Sequence, residues 1–154
     1  MTENELTSEG KKVIQLEAEA VAALSDRIDH NFSGACQAIL ACKGRVVVVG
    51  MGKSGHIGSN IAATLASTGT PSFFVHPGEA SHGDLGMITP DDIVIAISNS
   101  GNTPEILAIL PMIKRLAVPL ISMTGTTENP LCEQSDFCLY VGVEKEACPH
   151  NLAP

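Results

Sequence analysis

The chain has 154 residues and a formal net charge of −8 at pH 7. This length favours one domain with a single core. The nine lysines and arginines are scattered, so they do not form the basic face that nucleic acid or an anionic membrane requires. No run of about 18 apolar residues predicts a transmembrane span. We therefore expect one compact domain that binds a small molecule, and neither nucleic acid nor membrane.

The five cysteines are odd in number and form no C-x-x-C pair, and no apolar signal segment opens the chain. These features predict a reducing, cytoplasmic setting. We expect the thiols to be small buried hydrophobes rather than metal ligands. A weaker alternative is a metal site formed by His76, Glu79 and His82 on one polar connection.

Two helical patterns come first, over 8–28 and 31–42, because apolar residues recur there three or four positions apart. Strands and helices then alternate as far as residue 143, and no periodicity is visible over 144–154. The predicted strands cover 46–49, 72–75, 93–97, 119–123 and 137–143, and the predicted helices about 55–67, 103–116 and 129–135. This alternation predicts an α/β fold with a parallel sheet.

A G-x-G-x-x-G pattern over 50–55 follows the first strand and precedes a helix, which is the context of a dinucleotide-binding loop. Two features disfavour a dinucleotide. The second strand ends in His76 instead of the carboxylate that holds a ribose, and the loop carries Lys53 and Ser54 where small uncharged residues are usual. A phosphorylated ligand of another kind is the better interpretation.

The same signal occurs again about fifty residues later, where the run 93–97 ends in Ser98-Asn99-Ser100-Gly101. Thr103-Pro104 then predicts a helix N-cap followed by proline in the first turn. Backbone N–H groups and hydroxyls in such loops donate hydrogen bonds to phosphate. Two loops of this kind on one sheet predict a phosphorylated ligand.

Several segments of the chain resemble the SIS (sugar isomerase) domain family, in particular its arabinose-5-phosphate isomerases. The resembling segments are 50–58, 66–80, 82–86, 97–101, 145–149 and 152–154. The resemblance implies a three-layer α/β/α sandwich around a five-stranded parallel sheet, similar to Rossmann and flavodoxin-like folds. It also implies a cytoplasmic homotetramer with sites at subunit interfaces, and no metal or redox cofactor.

The implied reaction interconverts D-ribulose 5-phosphate and D-arabinose 5-phosphate through an enediol, and it supplies Kdo for lipopolysaccharide. Such chemistry needs a carboxylate to move a proton and a donor to the developing oxygen. The positions that match catalytic residues of the family are Lys53, His82, Glu105 and Glu146. Those that match its phosphate-binding residues are Gly52, Ser54, Ser98, Asn99, Ser100 and Thr103.

Two alternatives remain open at this point. A non-catalytic SIS module would bind a sugar phosphate or sugar nucleotide with the same serines but would need neither glutamate, and a nucleotide-dependent Rossmann enzyme would bind NAD. The chain departs from the family at Gly101-Asn102, where a glutamate often follows the glycine. Family members also continue past the 152–154 segment into a helix, a further histidine and paired CBS domains. We therefore expect the C-terminal segment 144–154 to be truncated before that helix and the CBS domains, and we expect turnover by this chain to be slow or absent.

Overall fold

The computed structural model describes residues 2–80 and 84–148. The helices are α1 (Glu3–Ala23), α2 (His30–Ala41), α3 (Gly52–Ser67), α4 (Pro77–Ala80), α5 (Pro104–Leu116) and α6 (Pro130–Glu133). The strands are β1 (Val46–Gly50), β2 (Ser72–Val75), β3 (Ile93–Ser98), β4 (Leu120–Thr124) and β5 (Phe137–Tyr140). Single 3₁₀ turns cover Leu24–Arg27 and Asp84–Met87.

The five strands form one parallel sheet in the order β2-β1-β3-β4-β5. Successive strand residues alternate between two apolar layers. Val47, Val49 and Val94 pack with α5 on one face, and Val48 and Ile95 pack with residues of α2 and α3 on the other. Both faces are therefore covered, and the predicted α/β/α sandwich is confirmed.

Full burial of the two central strands explains their sequence. Every residue of β1 and β3 is buried. A strand covered on both faces is apolar throughout, whereas a half-exposed strand alternates apolar and polar residues. The runs that predicted these strands were continuous and rich in β-branched residues for this reason.

Several element boundaries differ from the prediction. Helix α1 begins at Glu3 instead of residue 8, because the Thr2 hydroxyl and the Glu5 carboxylate form a reciprocal capping box. Strand β5 ends at Tyr140 rather than residue 143, since the neighbouring β4 ends at Thr124 and gives no further partner.

Among the residues that the structure describes, none of the helices combines the length and the apolar character that a membrane span requires.

The prediction that all the cysteines are unpaired thiols is wrong for two of them. Cys132 of α6 and Cys138 of β5 form a disulfide, with Cα atoms 5.2 Å apart. The pairing depends on α6 leading back alongside β5, which residue spacing alone does not reveal. Cys36, Cys42 and Cys148 are free and partly buried.

An ion pair joins the entrances of β1 and β3, at the amino edge of the sheet. The Asp92 side chain is only 1% exposed and lies 3.1 Å from the Arg45 guanidinium. It also accepts hydrogen bonds from the backbone N–H groups of Arg45 and Thr89, at 2.7 and 2.8 Å. Burial raises the pKa of Asp92, but the hydrogen bond from the Arg45 side chain, together with those from the backbone N–H groups of Thr89 and Arg45, outweighs burial and holds the pKa below its ordinary value.

Candidate functional site

The strand order creates a switch point between β1 and β3. These strands are direct neighbours, yet the chain continues from β1 to β2 on one side and from β3 to β4 on the other. In open parallel sheets the carboxyl ends of two such strands border a crevice in which ligands bind. Two glycine-containing loops begin there, which we call the first loop (50–55) and the second loop (98–103).

The first loop turns tightly from β1 into α3. Gly50 and Gly55 lie in close contact, since a Cβ atom on Gly50 would approach the Ser54 carbonyl oxygen to 2.8 Å. Gly52 has φ +53°, in the left-handed region that favours glycine. Lys53 is exposed and Ser54 is partly buried in the first turn of α3. The Met51 side chain does not cap this helix, so the first turn of α3 faces the crevice with a cation, a hydroxyl and backbone N–H groups.

Internal hydrogen bonds close the second loop. The hydroxyls of Ser98 and Thr103 lie 2.8 Å apart, and the Gly101 N–H donates to Ser98 Oγ at 3.1 Å. Thr103 is the N-cap of α5, as predicted, but its hydroxyl bonds Ser98 and not the helix backbone. Ser98 is buried, whereas Asn99 and Ser100 are exposed. The loop therefore presents Asn99 and Ser100 outward, while Ser98 and Thr103 fix its shape.

A third loop, residues 125–129 after β4, supports the second loop from behind. The Gly125 N–H donates to the Asn99 carbonyl at 2.8 Å, and the Leu131 N–H donates to the Gly101 carbonyl at 3.2 Å. Asn129 is 2% exposed and packs against Gly101 so closely that a Cβ atom there would overlap it. Asn129 was not among the predicted site residues, although Asn-Pro before a short helix is a capping signal.

The described predicted catalytic residues lie after different strands of the sheet. Lys53 follows β1 and Glu105 lies in the first turn of α5 after β3, so both belong to the switch-point crevice. Glu146 lies six residues beyond the end of β5, and β5 is three strand positions from β1, or about 14 Å at the usual strand spacing. Its neighbours Lys145 and Ala147 line a groove with α1. His82 lies outside the described residues.

Among the described residues, no group of three or more histidine, cysteine, aspartate or glutamate side chains is arranged to hold a metal ion. Of the three residues in the metal alternative, His76 and Glu79 are described. His76 follows β2 directly, and its carbonyl accepts hydrogen bonds from Glu79 and Ala80 at 3.0 and 2.9 Å.

A 2-1-3-4-5 parallel sheet with glycine-containing loops at the switch point defines a doubly wound α/β protein, a class that binds its ligands at the carboxyl edge of the sheet. Residues 39–154 match the SIS domain family. The chain belongs to this family.

Curated relatives bear a more specific name. Arabinose 5-phosphate isomerase KdsD of Pseudomonas aeruginosa is 63% identical over 144 residues. KdsD of Escherichia coli K12 is 61% identical over 145 residues. Each alignment covers 94% of this chain but 44% of the relative, so the chain spans less than half the length of these proteins.

A solved structure is similar over the whole chain. E. coli CFT073 c3406 in complex with arabinose 5-phosphate superimposes with a TM-score of 0.93 and 45% sequence identity. The superposition covers 100% of this chain and 82% of that one. The fold, with its switch-point loops, is therefore shared with a protein that binds a sugar phosphate.

Proposed function

We propose that this chain interconverts D-ribulose 5-phosphate and D-arabinose 5-phosphate through an enediol. The observation that carries the proposal is the placement of Lys53 in the first turn after β1 and of Glu105 in the first turn of the helix after β3, at the carboxyl ends of two neighbouring strands. Relatives named arabinose 5-phosphate isomerase at 61–63% identity support it, and so does the similar structure in complex with that sugar phosphate.

The phosphate would lie between the two loops. We assign direct contacts to Gly52 and Ser54 of the first loop and to Asn99 and Ser100 of the second, because these residues reach the loop surfaces. Ser98 and Thr103 complete the phosphate site from within, since their hydroxyls bond one another. Backbone N–H groups of the first turns of α3 and α5 would add the favourable field of a helix N-terminus.

In the isomerisation a base removes a proton from C1 of the ketose, and the electron pair forms the C1–C2 double bond of an enediolate. Return of a proton to C2, with the O1 hydroxyl proton passing to O2, gives the aldose, and the face of C2 that receives the proton sets the arabinose configuration. We assign proton transfer to Glu105 and stabilisation of the enediolate oxygen to the Lys53 ammonium. Glu146 and His82 remain proposed as the second carboxylate and the second donor.

We further propose a homotetramer with its sites at subunit interfaces. Lys53 follows β1, whereas Glu146 comes after β5, which lies three strand positions away, and an interface site offers a way to complete the catalytic set. The outer surface of α1 and the turn after it expose large apolar side chains suited to a subunit contact, namely Leu6, Ile14, Val21 and Ile28. We also propose that the protein supplies arabinose 5-phosphate for the synthesis of Kdo, in the cytoplasm of a bacterium that makes lipopolysaccharide.

Proton NMR of the purified chain with ribulose 5-phosphate in D₂O tests the reaction. Formation of arabinose 5-phosphate with solvent deuterium at C2 is expected, and Glu105→Gln should bind arabinose 5-phosphate in calorimetry without forming the deuterated product. Binding without any exchange, both by this chain and by a chain extended to the length of its relatives, would contradict the isomerase and favour the non-catalytic binding module. A folded chain that binds no sugar phosphate would contradict both.

A further inference from the structure

The disulfide lies on the structural path that supports the second loop. We propose that Cys132 and Cys138 are a reversible thiol–disulfide modification site, and that the disulfide form holds the second loop in its anion-binding shape. The proposal rests on the proposed function in one respect, namely that this loop binds the phosphate of the substrate. It adds a regulatory input to that site.

The first half of the path runs from Cys132 to Gly101. Cys132 lies in α6, and its N–H donates to Asn129 Oδ1 at 2.8 Å. Asn129 packs directly against Gly101, and the neighbouring Leu131 N–H donates to the Gly101 carbonyl at 3.2 Å. A displacement of α6 therefore moves two groups that contact the second loop.

The second half of the path runs from Cys138 to Asn99. Cys138 lies beside β4, with its sulfur 3.7 Å from the Thr124 hydroxyl. That hydroxyl donates to the Thr126 carbonyl at 2.6 Å, and between them the Gly125 N–H donates to the Asn99 carbonyl at 2.8 Å. The two cysteines thus connect to successive parts of one loop from two different elements.

Without the disulfide, α6 depends on weak local interactions. It has only four residues, and a helix of this length is unstable by itself. Its other supports include the Asn129 cap, the buried Leu131 side chain, the hydrogen bond from the Leu131 N–H to the Gly101 carbonyl and a 2.6 Å hydrogen bond from the Ser135 hydroxyl to the Leu131 carbonyl. Reduction removes the covalent link to β5, so we expect α6 and the second loop to open more often.

The chemistry needs a disulfide co-reactant of low molecular weight, such as glutathione disulfide. The thiolate of one cysteine attacks it and expels one thiol, and the other cysteine then attacks the mixed disulfide and expels the second. Two protein thiols are oxidised by two electrons and lose two protons, while the reagent is reduced to two thiols. Cys132 is partly exposed and is followed by the exposed Glu133 and Gln134, which gives a small reagent access.

The test compares the full chain after treatment with glutathione disulfide and with dithiothreitol. Alkylation and peptide mass spectrometry identify the cysteines that are paired. Hydrogen exchange of residues 98–103 and calorimetric titration with inorganic phosphate and arabinose 5-phosphate then report on the loop. We expect slower exchange in the oxidised form and at least about fivefold tighter binding, the lower end of coupling between linked sites.

Cys132→Ser and Cys138→Ser should each behave as the reduced form under both treatments, whereas the control Cys36→Ser should keep the redox difference. Failure of the oxidised chain to pair Cys132 with Cys138 would overturn the proposal, as would equal exchange and equal affinity in the two states. Redox-dependent exchange without sugar-phosphate binding in either state would support the coupling and refute the proposed function.

Discussion

Gly101 is the position at which a single added methyl group tests the support of the second loop. Its φ is +63°, and a Cβ atom there would overlap the side chain of Asn129. Gly69, which ends α3, offers a matched control: its φ is +98°, but a Cβ atom would meet nothing within 4 Å. Gly101→Ala therefore combines backbone strain with a steric conflict, whereas Gly69→Ala introduces strain alone.

The two effects differ in size. A non-glycine residue in the left-handed region costs about 1–3 kcal/mol of folding free energy, and this applies to both variants. In Gly101→Ala the Asn129 side chain must also move, which breaks its hydrogen bonds with the Cys132 N–H and the Thr126 carbonyl. Two such bonds contribute about 0.5–1.5 kcal/mol each, so Gly101→Ala should be less stable than Gly69→Ala by about 1–3 kcal/mol.

Urea denaturation gives the free energy of unfolding of both variants, and calorimetry gives their dissociation constants for arabinose 5-phosphate. We expect weaker ligand binding by Gly101→Ala and unchanged binding by Gly69→Ala, because only Gly101 belongs to the proposed phosphate site. Equal destabilisation of the two variants would refute the argument that Asn129 and Gly101 are tightly packed. Unchanged binding by Gly101→Ala would refute the role of the second loop.

Three further changes test separate parts of the molecule. Glu105→Gln should lower kcat by about 10²–10⁴, the usual contribution of a general base, with little change in substrate affinity measured by calorimetry. Asp92→Asn should cost about 1–3 kcal/mol at pH 7 in urea denaturation, because it weakens the hydrogen bonds from Arg45 and Thr89. The pKa of Asp92 is lowered by folding, so the unaltered chain should lose that stability as pH falls through and below about 4, and the variant should not. Thr103→Val should raise the dissociation constant for inorganic phosphate several-fold by removing the partner of the Ser98 hydroxyl, and equal binding would contradict the shaping role of that bond.

The fold was predictable from the sequence because its strongest signals are local. The fully buried β1 and β3 are continuous β-branched runs that end in small residues, and such runs have few other structural solutions. The boundaries that were missed depend on particular partners. Helix α1 starts early because Thr2 and Glu5 cap it reciprocally, and β5 ends early because β4 offers no further residue to pair with.

The candidate site was predictable to a smaller extent. Both anion-binding loops could be located, since a glycine after a buried strand and before a helix is a local pattern. The contact between Gly101 and Asn129 joins residues from different crossovers, so it depends on the strand order and not on spacing. The Ser98–Thr103 hydroxyl pair and the Cys132–Cys138 disulfide were missed for another reason: each pair is close in sequence, but its contact depends on the local path of the chain, which residue spacing does not reveal.

Binding and turnover should be separable in this chain because they depend on differently organised parts of it. The proposed phosphate site lies on two adjacent strands, and hydrogen bonds from the 125–131 region fix its second loop. The reacting carbons would extend from that fixed point toward Lys53 and Glu105, and proton transfer requires these groups to lie within hydrogen-bond reach of C1 and C2. Assembly changes that shift the surrounding segments by about 1 Å should therefore alter turnover more strongly than phosphate affinity, provided that the second loop keeps its shape.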